Sequence, residues 1–421
     1  MNEENNNTAI LVQVTSQQES QFDIDNQLRE LSELCANIGL KTLDTRIIVL
    51  REINPATMIS KGKVAELKEL AGSLECSAVV FNCAVSPTVQ RNLERELDVS
   101  VIDRIEVILE IFAQRAVTSE ARDQVELARL TYSLPRLARK VTNLSQQRGT
   151  VKGSKGSGET QLELDRRKAA TRIMVLKKNI EKTKRSRDVQ RKSRLRNQVP
   201  TVAIVGYTNS GKSSLLNLLT QSDALAQDKL FATLDTTTRK ARLPGGMNII
   251  FTDTVGFVSN LPHFLIDAFS STLEEARLAD LLIVLCDAQS PDLFEGYDTT
   301  LEVLEQLGCL DTPRILAMNK IDTLKDSPNL SASRFMNEHP EILKISVKDN
   351  IGIDSLKAQV EKELLRDYRW MRLEIPASRQ DIVAQAKAGM SSPSIEYKDQ
   401  SVIISGLGPE SLMTSLKPWL K

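Results

Sequence analysis

The run Gly206-Tyr207-Thr208-Asn209-Ser210-Gly211-Lys212-Ser213, followed by Ser214 and an apolar helical pattern, fits G-x-x-x-x-G-K-[ST]. Glycines at these positions let backbone N–H groups and a helix N-terminus close around a β-phosphate. Lys212 would reach the β- and γ-phosphate oxygens, and the Ser213 hydroxyl would bind Mg2+. Downstream, "NIIFTDTVGF" ends an apolar run in Asp253-Thr254-Val255-Gly256. An aspartate there holds the hydration shell of Mg2+, and the Gly256 N–H touches a γ-phosphate. "RILAMNKID" then brings Asn319, Lys320, Ile321 and Asp322 to the end of another run. A carboxylate at that point accepts from guanine N1 and N2, whereas adenine offers no such pair of donors. N-K-x-D alone is a weak match, but in this order and at strand ends the three motifs describe a GTP site.

Elements with two different periods must hold these residues. Residues 8–120 alternate short apolar runs ("TAILVQV", "TRIIVL", "SAVVFN", "VSVID") with helical stripes, one of them Ile24, Leu28, Leu31, Leu34 and Ile38. Segments beginning at Lys61 and Pro87 also read as helices. Next comes a seam of Leu127, Leu130, Leu134, Leu137, Val141 and Leu144, which Pro135 can kink or restart. A second seam, Leu162, Ala169, Ile173, Leu176 and Ile180, follows the loop "RGTVKGSKGSGE". A short loop between two such helices makes them antiparallel neighbours with the glycines at the tip. That tip lacks the phosphate-loop spacing, and no apolar strand feeds it, so it reads as a basic fingertip rather than a nucleotide site. From Thr201 strand-turn-helix alternation resumes. The fold class is therefore α/β: an N-terminal α/β domain (1–120), a basic antiparallel helical hairpin with a Gly-rich tip (121–198), a P-loop GTPase domain with a mostly parallel sheet (199–368) and a small C-terminal α/β module (369–421).

Composition narrows the class further. Of 421 residues, 41% are apolar and 26% charged, as in a soluble globular protein. No run approaches the ~18 apolar residues of a membrane span, which leaves only peripheral membrane contact. The polar start "MNEENNNTAI" is not a targeting segment. Five scattered cysteines read as reduced thiols in a cytoplasmic protein, expected to be a monomer, and two histidines leave little room for a histidine metal centre. Net charge is zero, yet Arg136–Arg196 holds 20 Lys and Arg against 5 Asp and Glu, leaving 35 and 50 elsewhere. A local +15 in an acidic remainder of −15 has two readings, a solvated helix surface or the electrostatic footprint of a nucleic-acid partner, and its density favours the second.

The three motifs make the chain resemble the translation-factor-like GTPases. "DQVELARLTYSLPRL", "GSGETQLELDRR", "KLFATLDTTTR" and "DTVGFVSNLPHFLIDAFSSTLEEARLADLLIVLCDA" together resemble the HflX family of ribosome-associated GTPases, as does "SPTVQRNLERELDVSVIDRIEVILEIFAQRA". The likeness spans roughly residues 40–350 and says little about the last fifty. It implies a GTP-hydrolysing switch that binds the large ribosomal subunit and its rRNA and dissociates stalled or idle ribosomes. It further implies that in Phe231-Ala232-Thr233-Leu234-Asp235 the Thr233 hydroxyl binds Mg2+ and closes over the γ-phosphate, and that Ser346, Val347 and Lys348 flank the guanine. Val347 stands where the family has alanine. Lys212, Thr233 and Gly256 are the residues expected to act on the reaction, and Ser213 and Thr233 those expected to hold the metal.

Many such GTPases place a glutamine after the glycine of D-x-x-G to orient the attacking water; here Phe257 cannot. Slow intrinsic turnover, stimulated by the ribosome, is the expectation. Asn209 has two readings: a hydrogen bond within the loop, or a ligand to K+. Arg239 reads as a solvated or phosphate-contacting arginine, His263 as a structural or surface residue, and "SKGK" (60–63) as a helix start rather than a second phosphate site. The competing reading is an RNA-binding ribosome-assembly scaffold whose nucleotide is mainly structural.

Overall fold

The computed structural model describes residues 7–15, 20–137, 157–196, 199–221, 231, 237–259, 262, 264–265 and 270–421. The chain forms two compact units, 1–182 with 262–268, and 183–261 with 269–421.

In the first unit β1 (Thr8–Thr15), α1 (Gln21–Asn37), β2 (Lys41–Val49), α2 (Lys61–Ser73), β3 (Ala78–Phe81), α3 (Pro87–Leu97) and β4 (Ser100–Asp103) build a parallel sheet of order β2-β1-β3-β4. Parallel neighbours require crossovers, and the helices supply them. Each helix starts where the chemistry says it should. Ser20, Ser60 and Ser86 cap α1, α2 and α3 through their side chains, and Pro87 occupies the first turn, where its missing N–H costs nothing. "SKGK" is thus a helix start. The α1 stripe buries Ile24, Leu28, Leu31 and Leu34, while Ile38 is the C-cap residue. All five cysteines are free, and burial pushes the Cys35 thiol up to about 12.

Asp103 caps α4 (Arg104–Arg115), and α5 (Ser119–Leu137) follows, running through Pro135 near its end. The second arm, α6 (Ser157–Arg196), is 40 residues long, about 60 Å at 1.5 Å per residue. Its Arg172 grips the Glu126 carboxylate with Nε and Nη2 at 2.7 and 2.5 Å, and Asn179 donates to Asp123 at 3.3 Å. Residues 123 and 126 thus meet 179 and 172 in reversed order, so the arms are antiparallel. Of the second seam, Ala169 and Leu176 are buried. Of the tip loop, residues 148–156 lie outside the described residues, as do Val141, Leu144 and the Leu162 side chain, whereas 157–159 already belong to α6.

A half-buried polar knot joins β4 to the end of α5. The Tyr132 hydroxyl meets both the Asp103 carboxylate and the Arg136 guanidinium. Arg136 also donates to Gln90 Oε1 at 2.9 Å and to the Val85 carbonyl at 2.8 Å, with its guanidinium 3.5 Å above the Tyr132 ring. Desolvation and the neighbouring Asp103 drive the Tyr132 pKa strongly upward, so it stays a donor. Phe264 stacks on Tyr132 with centroids 6.0 Å apart.

The second unit contains β5 (Thr201–Val205), α7 (Lys212–Thr220), β6 (Thr237–Arg242), β7 (Asn248–Asp253), α8 (Ser270–Arg277), β8 (Leu281–Asp287), α9 (Leu293–Gln306), β9 (Arg314–Asn319), α10 (Leu330–Glu338), β10 (Leu343–Lys344) and α11 (Ile353–Leu364). The sheet order is β10-β9-β8-β5-β7-β6, parallel except for β6. Near-continuous apolar strands such as Leu281–Cys286 are buried on both faces, as a parallel sheet requires. The three motifs follow β5, β7 and β9, whose carboxyl ends share one edge of this sheet. Beyond it, β11 (Tyr368–Pro376), α12 (Gln380–Gly389), β12 (Ser391–Tyr397), β13 (Ser401–Pro409) and α13 (Glu410–Ser415) form an antiparallel β11-β13-β12 sheet packed on Ala386 and Leu412. No helix among the described residues is long and apolar enough to cross a membrane.

Candidate guanine nucleotide site

The first loop is shaped by what its backbone must avoid. Gly206 has φ +148°, and a Cβ there would stand 2.3 Å from the Leu285 carbonyl oxygen. Gly211, at φ +93°, would put a Cβ 2.4 Å from Asn319 Nδ2. Glycine at these two positions lets the loop lie flat on β8 and β9. Asn209 also has positive φ, is exposed, and makes no side-chain hydrogen bond to any described residue. Thr208 Oγ1 and Ser210 Oγ are buried without a partner among the described residues. Orphaned hydroxyls are costly unless a ligand meets them, and oxygen-rich phosphates are suitable acceptors.

Lys212 opens α7 and is buried, with Nζ donating to the Tyr207 carbonyl at 2.6 Å. The Ser213 hydroxyl donates to the Asp253 carboxylate at 2.6 Å, so the two groups expected around one cation already share a site. Among described residues no cluster of three or more His, Cys, Asp or Glu exists. An oxygen set of one hydroxyl and one carboxylate suits a hard cation that keeps waters and phosphate oxygens as its other ligands.

Desolvation lowers Lys212 from 10.5 to about 8, against the opposing pull of Asp253. A depressed lysine pKa penalises the charged form, so the ligand-free fold carries this cost below about pH 8 and sheds it as pH rises towards 10.5. Phosphate restores the charge. Nucleotide binding at pH 9 should therefore take up a proton and be roughly tenfold weaker than at pH 7. Calorimetry in two buffers of different ionisation enthalpy measures both; equal affinity without proton uptake would contradict a partly neutral Lys212.

The Asp253–Gly256 loop is held tightly. Asp253 is 1% exposed, Thr254 donates to the Ile204 carbonyl at 2.8 Å, and Val255 is buried. A Cβ on Gly256 would stand 3.0 Å from Lys212 Nζ, so that backbone lies against the lysine. Phe257 is buried, its carbonyl accepting from Thr208 N–H at 2.7 Å and its N–H donating to Gly206 O at 3.2 Å. Its ring packs inward and offers nothing to a water. Ser214 is half-buried on α7.

The residues expected to recognise the base lie close together, and one of them has a further contact. Ser346 Oγ donates to Asp322 at 2.6 Å and accepts from Asp349 N–H at 3.1 Å, which orients the carboxylate. Lys320, at positive φ, pairs with Asp287 at 2.8 Å, and Ile321 N–H donates to the Ile345 carbonyl. Asn319 is 3% exposed and acts as a strut: Nδ2 donates to Ser210 O at 2.9 Å, and Oδ1 accepts from Val347 N–H at 3.0 Å. It therefore ties the phosphate loop to the base loop, and since this uses the Val347 backbone, valine in place of alanine leaves it intact. Lys348 is exposed. Phe231 is buried with positive φ, whereas Ala232, Thr233, Leu234, Asp235 and His263 lie outside the described residues. Arg239 is exposed on β6.

The family profiles that match are described as "GTP-binding GTPase N-terminal" over residues 25–113, "GTP-binding GTPase Middle Region" over 115–194 and "50S ribosome-binding GTPase" over 201–320. A protein of Akkermansia muciniphila, "GTPase HflX", is 42% identical over 421 residues, covering 98% of this chain and 96% of its own. The chain belongs to the HflX family of GTPases. The HflX protein of Treponema denticola is 48% identical over 346 residues, 80% of this chain and 88% of that one. A solved GTP-binding protein of Sulfolobus solfataricus in complex with GDP has 24% identity, covers 85% of this chain and 99% of its own, and gives a TM-score of 0.43. For an HflX-family chain, guanine nucleotide is the ligand, and the geometry above is its candidate site.

Proposed function

We propose that this GTPase is a switch that binds the large ribosomal subunit and its rRNA and dissociates stalled or idle ribosomes in the cytoplasm. The observation that carries the reading is one chain joining a nucleotide site to a hairpin with a local charge of +15. The match to the profile described as "50S ribosome-binding GTPase" supports the same partner. Lys212 and the loop N–H groups neutralise and orient the phosphates, Gly256 N–H approaches the γ-phosphate, and Asp322 selects guanine. Ser213, with Thr233 from the switch segment, would hold Mg2+, which screens charge on the transferring phosphoryl group. The unengaged, exposed Asn209 supports a place for K+ as well. Because Phe257 faces the core, intrinsic hydrolysis is slow, and the ribosomal partner accelerates it.

Sedimentation of ribosomes with GTP, GDP or a non-hydrolysable analogue tests this. Intact ribosomes should convert to subunits with GTP, with the protein retained on large subunits by the analogue and released with GDP. Identical profiles for all three nucleotides would sink the switch. If the hairpin covers ~6–10 phosphates, affinity should fall by about three to five decades between 50 and 200 mM salt. Multiple-turnover phosphate release separates this reading from an assembly scaffold with a structural nucleotide.

A further inference from the structure

We propose that the Tyr207 side chain is a positioning residue for GTP hydrolysis: a tether that holds the Asp253–Ser259 segment on the phosphate loop. A phosphate loop needs only the backbone of this residue. Its side chain turns elsewhere, and the hydroxyl accepts from Ser259 N–H at 2.8 Å. Between the two loops, Tyr207 and Phe257 form a parallel bridge, closed by Thr208 N–H on the Phe257 carbonyl at 2.7 Å and Phe257 N–H on the Gly206 carbonyl at 3.2 Å. The Tyr207 carbonyl accepts from Lys212 at 2.6 Å. One residue thus touches the phosphate-binding lysine, the residue after Gly256 and the far end of the same segment.

Room for the ring is built in. Gly296 on α9 faces it, and a Cβ there would stand 3.3 Å from Tyr207 Cγ, so the ring lies against bare backbone.

The tether matters to chemistry because of Phe257. With Phe257 and Val258 both buried, the two positions after Gly256 present no polar side chain. What it presents to a γ-phosphate is backbone, and Gly256 lies beside Lys212. The rate of the reaction then depends on where that backbone stands, and a hydrogen bond at Ser259 sets how often it stands there. This concerns intrinsic hydrolysis and is independent of any ribosomal partner.

Two variants of the full chain test it. Tyr207→Phe deletes the hydroxyl and keeps the ring; loss of one such hydrogen bond should lower kcat about 2–10-fold. KM for GTP and affinity for GDP should stay within about twofold, while the Ser259 amide exchanges its hydrogen faster. Gly296→Ala presses a methyl on the ring without removing the hydroxyl, and should shift kcat the same way. Wild-type kcat with unchanged Ser259 protection in Tyr207→Phe overturns the proposal. So does weakened GTP and GDP binding at unchanged kcat, which would make Tyr207 a binding residue instead.

Discussion

Lys212→Ala lowers affinity for GTP and GDP by about 100-fold or more and abolishes measurable hydrolysis. The size follows from what is lost: charge-assisted hydrogen bonds to phosphate, each worth roughly 1.5–3 kcal/mol. The lysine stands buried beside the Gly256 backbone, with Nζ on the Tyr207 carbonyl. The same substitution removes a group whose charge the ligand-free fold holds at a cost, since burial depresses its pKa to about 8. Thermal unfolding without nucleotide should therefore show no loss of stability, while the stabilisation normally added by saturating GDP disappears. A variant that still binds GDP like the parent would remove the phosphate loop from this account.

Asp322→Ala should weaken guanine nucleotides by about 10²–10⁴-fold, two charge-assisted hydrogen bonds of roughly 1.5–3 kcal/mol each. Ser346 and, through it, Asp349 hold the carboxylate in one orientation, so the two acceptors are preorganised for N1–H and the N2 amino group. Asp322→Asn changes the pattern instead of deleting it. An amide presents one acceptor and one donor, which suits xanthine, whose C2 carries a carbonyl where guanine has an amino group. Competition between GTP and XTP against a fluorescent nucleotide reads the change directly. Unaltered preference for GTP in both variants would place the base elsewhere.

The legible parts of the molecule were those written locally. Apolar runs near β1, β2, β3 and β4, the stripe of α1, the starts of α2 and α3, and the loop Gly206–Ser213 each depend on neighbours a few residues away. Chain-order motifs at strand ends also placed Asp253 and Asp322 at one sheet edge. What escaped notice joins distant residues by single polar contacts. Asn319 reads as a base contact, yet its amide bridges Ser210 and Val347; nothing periodic marks that bridge. Tyr207 reads as one loop residue among eight, and its hydroxyl reaches Ser259. Tyr132 and Arg136 stand within the run "DQVELARLTYSLPRL" that carried the family likeness, but their partner Asp103 is visible only once β4 and α5 have folded.

The short run 262–268 groups with residues 1–182, although its flanks on both sides belong to the nucleotide-binding unit. In that company Leu265 is wholly shielded and Phe264 leans on Tyr132. Any truncation made at the outer limits of the GTPase segment would take Tyr132 away from Phe264. Losing that stack forfeits roughly 0.5–1.5 kcal/mol and bares an aromatic face. Excised alone, the catalytic fragment thus lacks an aromatic contact that the intact chain makes, and its solubility and turnover are to be compared with those of the full chain.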